Sequence, residues 1–266
     1  MTTTGTRVGP AREQQARSLW IRLGGAFTVL ALLVAGIYVW AWMTRGETSS
    51  GHTYQAGPAT RLTISADVGG LSLVPGAPGR IVVNTHVTWE LARPRIRQSY
   101  QDGTLTISIG CGSTLLGWCD TSADVAVPPG MAVNAGLRTG NLRSSGLTGA
   151  LTLRSDTGDV TVWDSQGPVS VTSTTGNVTL VQSSSGSVRA TSTTGEVSLT
   201  FARPPSLVDA SSTTGDVHVR VPPTPSGYAV SRSSGGSARG TVADSPQSPD
   251  HITARSTTSD VAVDYD

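Results

Sequence analysis

A glycine returns about every nine residues in the second half of this chain. It stands at Gly140, Gly149, Gly158, Gly167, Gly176, Gly186 and Gly195, with gaps of 9, 9, 9, 9, 10 and 9, and Gly215 follows after a double step of 20. A fixed short period is the signature of a solenoid, a fold that stacks one small unit on itself. The residue two places after each glycine is Leu142, Leu151, Val160, Val169, Val178, Val188, Val197 or Val217. The fourth place is apolar too, except at Ser144, and the place between the two is polar throughout. Such alternation predicts a short strand with one buried face, entered through a turn that glycine eases by tolerating positive φ.

The true period is double, because the turns come in two kinds. One kind reads Thr-Gly followed by Asn, Asp or Glu. It supplies Thr139, Thr157, Thr175, Thr194 and Thr214, and beside them Asn141, Asp159, Asn177, Glu196 and Asp216. Thr258-Ser259-Asp260 followed by Val261 and Val263 resembles a worn copy. The other kind reads Thr148-Gly149-Ala150, Gln166-Gly167-Pro168 and Ser185-Gly186-Ser187. Two strands and two turns then make one coil of about 18–20 residues, and stacked coils lie about 4.8 Å apart. The expected fold is an all-β solenoid with like turns stacked on like turns. The competing architecture is a β-sandwich, which has no reason to keep two turn chemistries in phase. The threonine and Asx columns are assigned a structural role. A calcium site on the stacked carboxylates is the alternative, against which stands the missing Gly-Gly-x-Gly-x-Asp pattern.

Leu23 to Met43 carries no charge and is long enough, as a helix, to cross a bilayer. Arg7, Arg12, Arg17 and Arg22 precede it against the single acid Glu13, which places the N-terminus in the cytoplasm. The expected organisation is a cytoplasmic tail over 1–22, a transmembrane helix over 23–43 and a linker over 44–57. An N-terminal capping part of the β domain spans 58–137, and regular coils with a C-terminal cap span 138–266. A cleaved signal peptide is the alternative, but the segment ends in Tyr38-Val39-Trp40-Ala41-Trp42, bulky where a peptidase wants small residues. The chain is thus expected in the cell membrane as a single-pass protein contacting the lipid bilayer, with its C-terminal domain extracellular.

The two cysteines, Cys111 and Cys119, lie beyond that segment, where an oxidising compartment favours a disulfide. Two free buried thiols are the alternative. All 19 basic residues are arginine. Removing residues 1–22, with four Arg and one Glu, leaves 15 Arg against 17 acids, a net charge of about −2 that gives no footprint for nucleic acid. His52, His86, His218 and His251 are scattered, and no Gly-x-Ser-x-Gly elbow or His-Glu-x-x-His pair exists. The acids Asp159, Glu196 and Asp216 follow turn glycines, and turn chemistry accounts for them without catalysis. No enzymatic activity and no cofactor are expected.

The Asp102-Gly103-Thr104-Leu105-Thr106-Ile107 run, the Val125-Ala126-Val127-Pro128-Pro129-Gly130 motif and the recurring Thr-Gly-Asp-Val together resemble the bacterial "putative adhesin" family over about residues 60–266. The resemblance implies a β-solenoid of the cell surface and supplies no catalytic residues. The expected function is a non-catalytic surface binding or adhesion module whose partner is an envelope protein or cell-wall component. A sensory or regulatory ectodomain for envelope stress, working through a partner protein, is the alternative.

Overall fold

In a computed structural model, the structure describes residues 11–43, 46–55, 59–89, 95–110 and 119–266. The chain divides into two units, 1–45 and 46–266.

The first unit contains one helix, α1 (Ala11–Met43), which includes the segment expected to span a membrane. Among the described residues, no helix is long and apolar enough to cross a membrane. This corrects the expected transmembrane helix at 23–43.

The second unit is all β. Its first strands are β1 (Gly46–Gln55), β2 (Arg61–Val68), β3 (Gly70–Pro75), β4 (Arg80–Trp89), β5 (Arg95–Gln101), β6 (Thr104–Gly110) and β7 (Cys119–Val127). Next come β8 (Ala132–Thr139), β9 (Leu142–Ser145), β10 (Leu151–Thr157), β11 (Val160–Trp163), β12 (Val169–Thr175), β13 (Val178–Ser183) and β14 (Ser187–Thr194). The last are β15 (Val197–Phe201), β16 (Leu207–Thr214), β17 (Val217–Val221), β18 (Ala229–Ser234), β19 (Ala238–Arg239), β20 (His251–Ser256) and β21 (Val261–Tyr265).

They form two sheets. The eleven-stranded sheet runs β1-β4-β7-β3-β9-β11-β13-β15-β17-β21-β19, and the ten-stranded sheet runs β18-β20-β16-β14-β12-β10-β8-β2-β6-β5. From β8 to β17 each coil places one strand in each sheet, and like strands pair in parallel. The alternating residues read from the sequence point inward. Leu153, Val160, Val171, Val178, Ala190, Val197 and Val217 are buried in one continuous core. Valine and leucine suit this thin space, since a pleated strand presents one branched side chain every second residue. Ser144 is the exception in the apolar series. It stacks between Leu73 and Val162, is buried, and its hydroxyl has no hydrogen-bond partner among the described residues.

Both ends of the stack depart from sequence order. At one end β2 and β3 pair with β8 and β9, while β6 and β7 lie outside them. There β1, β4 and β5 add antiparallel strands. Gly46–Gln55, within the segment expected as a linker, is therefore strand β1 paired along β4. At the other end the last two strands, β20 and β21, insert between the coil of β16 and β17 and the outermost strands β18 and β19. The worn copy at Thr258–Asp260 takes a full place, with Val261 beside Val217 and Val263 beside Val219.

Candidate functional site

The candidate site grows out of the Thr-Gly-Asx turns. Strand register puts Thr139, Thr157, Thr175, Thr194 and Thr214 side by side in successive coils, all exposed. The glycines that follow have φ of 138°, 135°, 143°, 143° and 143°. Gly69 (φ 125°) extends the column by one coil, since Leu71 pairs with Leu142 and the Gly69 N–H donates to the Thr139 carbonyl.

Beside the glycines runs a ladder of side chains. The N–H of Asp159 donates to Oδ1 of Asn141 (3.0 Å), that of Asn177 to Oδ1 of Asp159 (2.8 Å), and that of Glu196 to Oδ1 of Asn177 (2.9 Å). It resumes with the Asp260 N–H on Oδ1 of Asp216 (3.0 Å) and the Ser237 N–H on Oδ1 of Asp260 (2.8 Å). Each short Asx side chain thus satisfies a turn amide of the neighbouring coil, worth about 0.5–1.5 kcal/mol net per neutral bond and more where the acceptor is charged. Among the described residues no such bond joins Asp216 to Glu196. Glutamate is one methylene longer, so its carboxylate overshoots the amide that an Asx oxygen reaches. The Ser237 N–H holds the Asp260 carboxyl below the usual carboxylate range, and the Arg239 guanidinium, 3.1 Å away, adds to this against partial desolvation.

A second ladder was not anticipated. The hydroxyl of Ser155 donates to the Gly140 carbonyl (3.1 Å), Ser173 to Gly158 (3.1 Å), Ser192 to Gly176 (2.9 Å), Ser212 to Gly195 (2.8 Å) and Ser256 to Gly215 (2.8 Å). These serines are buried, so each cancels the desolvation cost of its hydroxyl and of the facing carbonyl. Sequence reasoning gave the threonine column a structural role and did not single out the serine. The available signal was Ser-x-Thr-Gly, which recurs at Ser155, Ser173, Ser192 and Ser212.

On the outward face of the eleven-stranded sheet, next to the break in the Asx ladder, Glu196, Ser198, Leu199, His218 and Arg220 line a shallow cavity of about 300 Å³. Ser198 pairs with His218 and Thr200 with Arg220. Trp163 lies two coils from β15 on the same face, 38% exposed, beside Val181. Among the described residues, no three of His, Cys, Asp and Glu converge as a metal site would require. The ladder carboxylates of Asp159 and Asp216 each already accept a backbone N–H. Of the two cysteines, Cys119 opens β7 and is not a free thiol. Cys111 lies outside the described residues.

Comparison with known proteins points the same way as the repeat. The model of the Toastrack DUF4097 family matches residues 130–264, just over half of the chain. Among curated proteins nothing matches. Similar solved structures include a "putative adhesin" from Bacteroides fragilis, 16% identical, covering 82% of this chain and 97% of that one at a TM-score of 0.47. Another is a "putative cell adhesion protein" from Clostridium sporogenes, 9% identical, covering 83% and 100% at 0.41. A third is a "putative adhesin" from Parabacteroides merdae, 11% identical, covering 83% and 96% at 0.32. With its coils from Gly130 to Asp264 inside the family's own span, the chain belongs to the Toastrack DUF4097 family.

Proposed function

We propose that the chain is a non-catalytic binding module working outside the cytoplasm, with the outward face of the eleven-stranded sheet as its contact surface. The observation that carries this reading is a local departure from the repeat. From β8 to β16 the outward places of the ten-stranded sheet hold no aromatic: they carry Thr and Ser, as in Thr172, Thr191 and Ser211, the exposed Leu207, and arginines such as Arg154 and Arg189, which pair with Asp156 and Asp209. The outward side of the eleven-stranded sheet carries short polar residues too, Thr161, Thr179 and Ser198, but adds Trp163 and Val181, with His218 and Arg220 further along and Glu196 beside them. A stacking unit gains nothing in stability from a half-exposed indole, whereas binding surfaces favour tryptophan. The indole offers an apolar platform, and Arg220 with His218 offers donors for carboxylate groups, a combination suited to a cell-wall component. The engaged carboxylates of Asp159 and Asp216 support a structural rather than a catalytic use of the turn acids.

Co-sedimentation of the purified full chain with insoluble cell-wall material tests the reading. Trp163→Ala with Arg220→Ala is expected to weaken binding at least about tenfold, the scale of interface anchors, while Thr172→Ala with Thr191→Ala on the other sheet leaves it within about twofold. Equal losses on both faces, or no binding by the parent chain, would overturn it.

The proposed location carries a redox expectation. Protein taken from its host should yield, in a non-reduced digest, one peptide pair joined through Cys111 and Cys119. The small loop so closed would add about 2–3 kcal/mol in the chain-entropy account. Alkylation of both thiols without reduction is the result that would count against an oxidising compartment.

A further inference from the structure

The two ends of the solenoid are finished differently. At the C-terminal end Tyr228 and Val242 are fully buried. There the segment after β19 folds back along β18, where the Val230 N–H donates to Asp244 and the Arg232 guanidinium to the Val242 carbonyl. At the opposite end β5 is the outermost strand of the ten-stranded sheet, and every one of its residues is exposed. Its pairing with β6 sets Ile96 beside Ile109, Gln98 beside Ile107 and Tyr100 beside Leu105. Those three β6 residues are buried core, so Ile96, Gln98 and Tyr100 share the core-facing side of the sheet. Yet Ile96 is 43% exposed and Tyr100 49%. Among the described residues the outer edge of β5 has no strand partner, and an edge of this kind, with an isoleucine and a tyrosine on its inner side, is what a stacked-repeat protein ordinarily covers.

We infer that this edge is closed by a second copy of the chain, through antiparallel pairing of β5 with the partner's β5 about a two-fold axis at Gln98. The strand reads Arg-Ile-Arg-Gln-Ser-Tyr-Gln from 95 to 101. Under a two-fold perpendicular to the sheet, inner residues must face inner residues, so the strand can shift only in steps that keep the two faces matched. Centring on Arg97 puts Arg97 opposite itself, and centring on Ile96 puts Arg95 opposite Arg97. Centring on Ser99 or beyond leaves Arg95 with no counterpart. Centring on Gln98 pairs all seven residues. It sets Ile96 opposite Tyr100, Arg97 opposite Ser99 and Arg95 opposite Gln101, with the two Gln98 amides facing. The register of fullest overlap is thus also one that keeps like charges from facing each other. It forms two aliphatic–aromatic pairs of the kind that stabilise antiparallel strands. The same pairing gives the open edge backbone partners and joins two ten-stranded sheets into one.

Cysteine cross-linking of the full chain reads this register directly. Gln98→Cys should convert to a covalent dimer under mild oxidation, because position 98 faces itself. Arg95→Cys should not exceed the parent chain, since its counterpart in the partner lies about 20 Å along the strand. Sedimentation velocity should show a reversible dimer of the parent chain at about 100 µM and at least about tenfold weaker association for Tyr100→Arg, which removes both aromatic pairs at an exposed position. Equal cross-linking at 95 and 98, or a dimer undiminished by Tyr100→Arg, would overturn the inference. A chain monomeric at that concentration would do so as well and would leave the edge to a strand from another protein.

Discussion

Replacing Gly176 by alanine is expected to destabilise the fold by about 3–5 kcal/mol, at the upper end of what single substitutions do. Gly176 has φ of 143°, a conformation that side chains with a Cβ rarely adopt. An added Cβ would also fall under 3.0 Å from the carbonyl of Gly158 in the neighbouring coil. That carbonyl cannot retreat, because its oxygen accepts the buried Ser173 hydroxyl. Strain and collision therefore add, and relief requires the two coils to part along a shared hydrogen-bonded edge. In a domain of this size the melting temperature should fall by roughly 10 °C. Gly186→Ala is the informative control. In the sequence Gly186 belongs to the same beat, but its φ is not positive and an added Cβ meets only the Ser206 hydroxyl, at 4.0 Å. That variant should be neutral or stabilised by up to about 1 kcal/mol, through the reduced freedom of the unfolded chain. Thermal melts of the two variants side by side check the pair. Similar losses in both would mean that the glycines are needed for turn propensity alone.

This contrast also marks how far the fold could be read from residues alone. Period and alternation report backbone geometry that recurs, so the coil length, the inward Val and Leu places and the Thr-Gly-Asx column were legible. Which glycine is indispensable was not, because that depends on what the next coil places against it. The bonding serine hydroxyls were not singled out, for a related reason. Ser173 is buried and Thr175 exposed, and only the stacked neighbour reveals that the serine meets a carbonyl. The strands at the two ends were the least legible. β1 carries Gly46, Ser49, Ser50 and Gly51, a composition that reads as a tether until β4 supplies its partner. The insertion of β20 and β21 between earlier strands is a long-range choice that no local pattern encodes. The proposed contact face lay in the exceptions. Glu196, which breaks the Asx series, was grouped with its column when its significance was the break.

The C-terminal end is where the second large effect is expected, at Tyr228. Among the described residues this is the largest fully buried side chain, and its hydroxyl donates to the Pro222 carbonyl at 2.7 Å. The ring fills the end of the core beneath the segment that covers β18. Tyr228→Ala should cost about 3–5 kcal/mol, as truncation of a buried aromatic does, because the covering segment cannot collapse far enough to refill the space. Tyr228→Phe keeps the ring and loses the bond, leaving a carbonyl without its donor, for about 1–2 kcal/mol. The hydroxyl also makes a prediction in pH. Burial, then the charge of Asp250, then Tyr265, pushes its pKa up from 10.0 to about 12. In the unfolded chain the phenol releases its proton near pH 10, while the folded chain holds it until about pH 12. Between those values the unfolded state binds fewer protons, so stability falls as pH rises. The contribution is complete below pH 10 and is lost through pH 12. Denaturant midpoints measured from pH 8 to pH 12 should therefore decline above pH 10 in the parent chain and decline less in Tyr228→Phe. The two curves should converge as the tyrosinate forms. Parallel curves across that range would place the strongly shifted phenol elsewhere and remove the hydroxyl of Tyr228 from the seal of the solenoid.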